Sequence, residues 1–194
     1  ASRHISAVAS TTTGYIALTN ANCNLIEAHG TDEQIEKFVQ PMREGRFAGT
    51  MAMTEPSAGS GLADLTTSAV KDEEGNYRIK GNKIFISGGD HELNDNIIHL
   101  VLARVKGAPK GIKGISLFIV PKFLVNDDGS LGERNEVALA GLFHKMGGRG
   151  QTSCAMSFGE QDGAIGYLVG EENKGLTYMF HMMNEARIMV GTSA

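Results

Sequence analysis

The sequence predicts a mainly β fold, an antiparallel barrel or sandwich with helical segments at both ends, on three observations. Of the 25 glycines among 194 residues, all but Gly14, Gly30 and Gly191 fall between Gly45 and Gly175. Between those glycines lie short apolar or alternating segments with no helical stretch among them. On either side the apolar spacing changes to the 3.6-residue period of helices. Short strands with glycine turns and no intervening helix argue against a doubly wound sheet.

Along the chain, Ile5, Val8, Ile16 and Cys23 recur at roughly helical intervals among small residues, predicting a helix from Ile5 to Ile26. His29-Gly30 is its stop, because glycine accepts the left-handed backbone past a helix end. Thr31-Asp32-Glu33-Gln34 is a capping box opening a short helix with Ile35, Phe38 and Val39 on its apolar side, ending near Pro41. Two such helices leave an apolar face uncovered, so residues 1–46 are expected to close a helical domain begun earlier.

Strands follow at Phe47–Met53, Tyr77–Lys80, Lys83–Ser87, Ile97–Ala103, Ile115–Val120, Cys154–Phe158 and Ile165–Leu168. Glu74-Gly75-Asn76, Lys80-Gly81-Asn82, Asn126-Asp127-Asp128-Gly129 and Gly147-Gly148 punctuate them as turns. Beyond Glu171, Leu176, Met179, Phe180, Met183, Arg187 and Val190 return to helical spacing. Met179, Met182, Met183 and Met189 fit adaptable core or interface packing.

Composition narrows the function classes. Eighteen basic against 22 acidic residues give a net charge of -4, and no run of like charge could grip a phosphate backbone. Aromatic residues are sparse and tryptophan is absent, which disfavours a stacking platform for single-stranded nucleic acid. No apolar run approaches a membrane span and the first 25 residues lack a signal-peptide core, so a cytoplasmic protein is expected. Cys23 and Cys154 are far apart in apolar surroundings, where small buried thiols are expected rather than a disulfide or a metal site. The histidines His91, His99, His144 and His181 form no closely spaced ligand set.

Two segments could carry chemistry. In Met51-Ala52-Met53-Thr54-Glu55-Pro56-Ser57-Ala58-Gly59-Ser60-Gly61 a strand runs into a turn supplying two hydroxyls and tight backbone. Such a turn can cradle an anion or read the edge of a planar heterocycle, and it can equally be a hairpin turn with no ligand. It is neither a Walker loop nor the opening of a βαβ unit. In Lys83-Ile84-Phe85-Ile86-Ser87-Gly88-Gly89, alternation projects Phe85 and Ser87 to one side of a strand. An aromatic face and a hydroxyl there could meet a flat cofactor, or belong to an ordinary sheet.

In combination and in order, Met53 to Ser60 and Gly81 to Ser87 resemble the middle-domain signature of flavin-dependent acyl-CoA dehydrogenases. Lys113-Gly114-Ile115 through Pro121, His144-Lys145-Met146-Gly147, Gly170 through Leu176 and Glu185-Ala186-Arg187-Ile188 extend the resemblance over essentially the whole chain. The run from Lys83 through Arg104 looks most like the branch that includes methylthiopropanoyl-CoA dehydrogenases.

The resemblance implies an antiparallel β-barrel middle domain flanked by truncated helical domains. Residues 1–46 would end the N-terminal helical domain, 47–170 form the barrel, and 171–194 begin the C-terminal helical domain. FAD would lie between the second and third. Backbone at Met51 and Met53 and the Thr54 hydroxyl would address the flavin's pyrimidine side. Gly59 and Ser60 would lie by the pyrophosphate, Ser60 also near the thioester ligand. Phe85 would cover a flavin face where relatives often carry tryptophan, and Ser87 would approach the redox nitrogen. Asn184 and Arg187 would sit toward the CoA moiety. No catalytic residue is assigned, because the family's glutamate base would lie outside the chain, which alone would be inactive; no metal ligand is assigned, because no ligand set is closely spaced. The implied whole is a homodimer or homotetramer oxidising an acyl-CoA to its trans-2-enoyl-CoA and passing electrons to an electron-transferring flavoprotein. Gly61 departs from the family's usual aspartate, which implies a looser loop or a different subgroup and keeps open a noncatalytic binding or assembly module.

Overall fold

The structure, a computed structural model, describes residues 2–193, and of their side chains those of 13–188, 190 and 191. The apolar positions Ile5, Val8 and Met189 lie outside the described side chains.

Helix α1 (Ser2–His29) ends where the sequence places its stop. Gly30 is needed there for space rather than for left-handed backbone, since a Cβ would lie 2.7 Å from Ile26 O. The capping box of α2 (Asp32–Gln34) closes reciprocally: Gln34 N donates to Thr31 Oγ1 and Thr31 N to Gln34 Oε1, each at 3.2 Å. The helical path then runs past Pro41, through a π-helical turn at Ile35–Val39 into α3 (Gln40–Arg43). Gln40 N reaches back five residues to Ile35 O, and this widened turn absorbs the proline that would break a regular helix.

Ten strands follow: β1 (Phe47–Ala52), β2 (Ser68–Lys71), β3 (Tyr77–Ser87), β4 (Asn96–Val105), β5 (Ile115–Pro121), β6 (Phe123–Val125), β7 (Leu131–Arg134), β8 (Val137–Leu142), β9 (Ser153–Phe158) and β10 (Ala164–Leu168). Pairings β4 to β5, β5 to β10, β10 to β3, β3 to β2 and β2 back to β4 close a ring, so the fold is a barrel and not an open sandwich. Strand β1 extends it beside β4, and β9 with β8 extends it beside the far half of β3. The ring is antiparallel except that β2 and, outside it, β1 each run parallel to β4.

Residues Tyr77 to Ser87 form one strand where the sequence suggested two segments and a turn at Gly81. Its first half pairs with β2 and β10, its second half with β9. Gly81 marks the handover, and a Cβ there would stand 2.3 Å from Thr67 Oγ1 and 2.8 Å from Thr67 Cα. The glycine serves close approach, the other common reason for glycine inside a strand.

The near-continuous apolar runs of β4 and β5 have a simple cause: both faces of these strands are buried. Ile98, Leu100 and Leu102 with Ile115, Leu117 and Ile119 join a core shared with α1 residues Cys23, Leu25 and Ile26. Val101, Ala103, Phe118 and Val120 face the barrel interior with Tyr77, Ile79, Met156 and Phe158. Complete burial of one such side chain stabilises by roughly 1.5–3 kcal/mol. Helix α1 docks on β1 at Gly49, whose N donates to Thr19 Oγ1 at 3.0 Å and where a Cβ would meet Asn22 at 2.7 Å.

Helix α4 (Gly175–Ser193) packs on β5 and α1 through Met179 and Met182. Phe180 and Val190, grouped with its apolar stripe by spacing, are exposed. Cys23 and Cys154 are buried and free, and burial pushes the Cys23 thiol up to about 11. Among the described residues no helix is long and apolar enough to cross a membrane.

Candidate functional site

Parallel pairing of β1 with β4 runs from Phe47 opposite Asn96 to Ala52 opposite Val101 and stops there. Lys83 enters the fork. Its Nζ donates to Met53 O at 3.1 Å and Leu102 O at 2.8 Å, the two carbonyls just past the last pair, and to Glu55 Oε1 at 2.9 Å. Glu55 also accepts from Thr66 N at 2.7 Å, Thr66 Oγ1 at 2.6 Å and Thr67 N at 3.0 Å. Lys83 and Glu55 are 0% and 1% exposed.

Burial alone would raise the Glu55 carboxyl, but the Lys83 charge and the threonine donors outweigh it and hold the group at about 2. Burial pushes Lys83 down to about 8, with Glu55 opposing. Both are therefore charged at neutral pH. The three ammonium protons have three acceptors, Met53 O, Leu102 O and Glu55 Oε1, the condition under which a buried charge is tolerated.

This pair anchors the loop from Met53 to Gly61. Glu55 N donates to Ala58 O at 2.9 Å and Ala58 N to Glu55 O at 3.2 Å, closing a turn with Pro56 and Ser57 at its tip. Gly59 and Ser60 follow, exposed. Beyond Gly61 the Glu55 carboxylate meets the chain again at Thr66 and Thr67. The atom nearest a Cβ at Gly61 would be Asp64 Oδ2, at 3.9 Å.

The loop also meets the second predicted segment directly, with Ile84 N donating to Thr54 O at 2.9 Å. One residue on, β3 bulges: Lys83 pairs with Met156 and Ile86 with Cys154, leaving one extra residue on β3. Phe85 absorbs it at φ 59°, a left-handed conformation that costs a non-glycine residue about 1–3 kcal/mol. The bulge shifts the inward parity from Tyr77, Ile79 and Lys83 to Ile86, and Phe85 and Ser87 stay on the less buried side. Phe85 is 58% exposed, with Phe143 against one side at a centroid distance of 4.6 Å.

Met51, Met53, Thr54, Phe85 and Ser87 thus belong to two adjoining segments, with Gly59 and Ser60 just beyond. Met51 and Met53 back onto the helix-facing core. Asn184 and Arg187 stand apart on α4, where Arg187 Nη1 donates to Asn184 Oδ1 at 3.1 Å. Two open clefts lie nearby. One is lined by Ile112, Lys113, Asn173, Leu176, Thr177 and Phe180, the other by residues 142–145, 149 and 151–153. Neither includes Thr54, Ser60 or Phe85. No group of three or more histidine, cysteine or acidic side chains among the described residues could hold a metal ion.

Sequence reasoning missed Lys83 and Glu55 as site-forming residues. Their signal was the parity of β3, where Tyr77, Ile79, Gly81 and Lys83 share one side and a lysine takes an inward place.

The family description "Acyl-CoA dehydrogenase, middle domain" matches residues 50–160. The chain is 47% identical over 174 residues to a 3-methylmercaptopropionyl-CoA dehydrogenase of Ruegeria pomeroyi, covering 90% of this chain and 29% of that protein. It is 44% identical over 183 residues to a butyryl-CoA dehydrogenase of Syntrophomonas wolfei, covering 91% of this chain and 30% of that protein. The solved butyryl-CoA dehydrogenase of Megasphaera elsdenii superposes with a TM-score of 0.70 at 28% identity, covering 96% of this chain and 44% of that one. The chain thus spans less than a third of the Ruegeria pomeroyi and Syntrophomonas wolfei proteins and less than half of the Megasphaera elsdenii one. With its barrel, its paired loops and these likenesses in agreement, the chain belongs to the acyl-CoA dehydrogenase family, as its middle domain with adjoining helices.

Proposed function

We propose that this chain is the cofactor-facing centre of an FAD-dependent acyl-CoA dehydrogenase that oxidises an acyl-CoA to its trans-2-enoyl-CoA. The observation that carries the reading is the junction of the two segments at Ile84 N and Thr54 O. It sets an exposed aromatic side chain, Phe85, beside a loop in which Thr54 is half-buried. An apolar face beside edge donors fits a flat, electron-accepting ring.

Bound FAD supplies the two-electron acceptor. Phe85 covers one face of the ring and keeps water from it. Backbone at Met51 and Met53 and the Thr54 hydroxyl orient the ring's polar edge, Ser87 approaches from the other segment, and Gly59 and Ser60 leave room for phosphate. Arg187, its guanidinium fixed by Asn184, presents positive charge toward the CoA part of the substrate. The base that takes the proton alpha to the thioester lies outside these 194 residues, and 47–170 is the barrel unit between helical domains. The whole protein is a homodimer or homotetramer that delivers electrons to an electron-transferring flavoprotein. Support for the substrate class comes from the relatives' names, 3-methylmercaptopropionyl-CoA and butyryl-CoA dehydrogenase.

The full-length protein tests the reading. Purified with FAD, it shows flavin absorbance at about 450 nm that bleaches on adding butyryl-CoA or a methylthio-acyl-CoA. A full-length protein that retains no flavin after incubation with excess FAD and removal of the unbound cofactor refutes it and favours a noncatalytic module.

A further inference from the structure

Lys83 does more at the fork than neutralise Glu55. Its Nζ lies on Met53 O, one end of the peptide group joining Met53 to Thr54. No cis peptide is present among the described residues, so that group's N–H points away from its C=O, and hence away from the ammonium. The Thr54 N–H makes no hydrogen bond to the described residues, while the Thr54 C=O is held by Ile84 N at 2.9 Å. A cation on a carbonyl oxygen draws electron density through the amide and makes its N–H a stronger donor, as hydrogen bonds in a chain reinforce one another. The arrangement is also rigid. Lys83 is shared by Met53, Leu102 and Glu55, and Glu55 is fixed in turn by Thr66 and Thr67.

Resting on the flavoenzyme reading, we propose that Lys83 and Glu55 are a positioning pair for electron acceptance. Through Met53 O, the buried ammonium holds and polarises the Thr54 N–H toward the ring edge, favouring the reduced, more negative cofactor. A purely structural pair would support oxidised and reduced cofactor alike. A polarising pair favours the reduced form selectively, because only that form carries the added charge.

The test uses the full-length protein and FAD. Removing one partner strands the other charge in the barrel, whereas replacing both is better tolerated, so the main variant is Glu55→Gln with Lys83→Met. Dissociation constants for oxidised and reduced FAD are measured, and the reduction potential of bound flavin is read independently by dye equilibration. The expected result is that reduced FAD loses affinity at least tenfold more than oxidised FAD, about 1.4 kcal/mol, and the potential falls accordingly. Lys83→Arg, which keeps the cation, retains most of the wild-type ratio. An unchanged ratio in the folded double variant overturns the proposal, as does a tenfold loss of ratio in folded Lys83→Arg. A double variant that cannot fold also overturns it, since the pair would then hold the barrel rather than the ring edge. If instead the wild-type protein does not bind FAD, the flavoenzyme reading itself has failed.

Discussion

His99 Nδ1 lies 2.7 Å from Thr50 Oγ1 across the parallel pairing of β1 and β4, with the imidazole fully buried. Its Nε2 has no partner among the described residues, and Phe158 meets the ring edge-on at 5.7 Å. Burial pushes this imidazole down to about 3, further than nearby Asp90 pulls it back up, while Lys122 and His91 add to the fall. The ring is neutral in the fold and takes up a proton more readily once unfolded. Stability contributed by neutral burial is therefore complete above pH 6.5 and lost as pH drops toward 3. Fully expressed, that loss is on the order of 5 kcal/mol. Thermal midpoints at pH 7 and pH 4.5 are expected to differ less in His99→Gln than in the wild type. Equal acid sensitivity in the two proteins would refute this role for His99.

Gly175 begins α4 against the backbone of β5. A Cβ at Gly175 would lie 2.3 Å from Ser116 C and 2.4 Å from Leu117 N, main-chain atoms that cannot turn aside. Gly175→Ala should therefore cost about 2–3 kcal/mol by overpacking. Gly191, in the same helix, has no atom of another described residue within 4 Å of that position, its chain neighbours and the helix's own backbone aside. There alanine should gain about 0.5–1 kcal/mol by restricting the unfolded chain. Thermal midpoints moving in opposite directions would bear out both; a harmless Gly175→Ala would mean that α4 docks differently.

At Phe85 stability and binding should part company. Glycine accepts φ 59° without strain, and the ring it removes is already 58% exposed. Relieved strain roughly offsets the lost contact with Phe143, so Phe85→Gly should change stability by no more than about 1 kcal/mol. FAD retention by the full-length protein should nevertheless fall tenfold or more, measured by flavin fluorescence on dilution. A large drop in the melting temperature together with full flavin retention would reverse that assignment.

Much of this architecture was legible because local chemistry and tertiary structure agreed. Thr31 and Gln34 make the capping box their spacing requires, and the apolar runs of β4 and β5 emerge as doubly buried strands. Where the two diverged, the cause is specific. Gly81 was read as a turn because glycine's two uses, turning and close approach, look alike until Thr67 is seen beside it. Strands β2, β6, β7 and β8 escaped notice because they are short or lie at edges, and β7 buries none of its four residues. In the candidate site, the sequence singled out the segments that carry Thr54 and Phe85, which the fold joins at Ile84 N and Thr54 O. The Lys83 fork was not legible, since Leu102 and Glu55 reach it from separate parts of the chain.

The same long-range logic applies to Asn24, which connects α1 to two other helices. Arg43 Nη2, at the end of α3, donates to Asn24 Oδ1 at 2.7 Å, and Asn24 Nδ2 donates to both Glu185 oxygens on α4 at 3.0 and 2.9 Å. Near its start α4 is fixed to the barrel at Gly175 and Met179, so Asn24 governs its second half. Asn24→Ala leaves a partly buried carboxylate without its amide donor, a loss of about 1.5 kcal/mol for a hydrogen bond to a charged group. Local opening of α4 should then grow about tenfold while the barrel keeps its global stability. Hydrogen exchange followed by mass spectrometry would show α4 peptides exchanging faster and β4 peptides unchanged. Equal acceleration in β4 would mean that the asparagine supports the whole fold rather than the seam between helices.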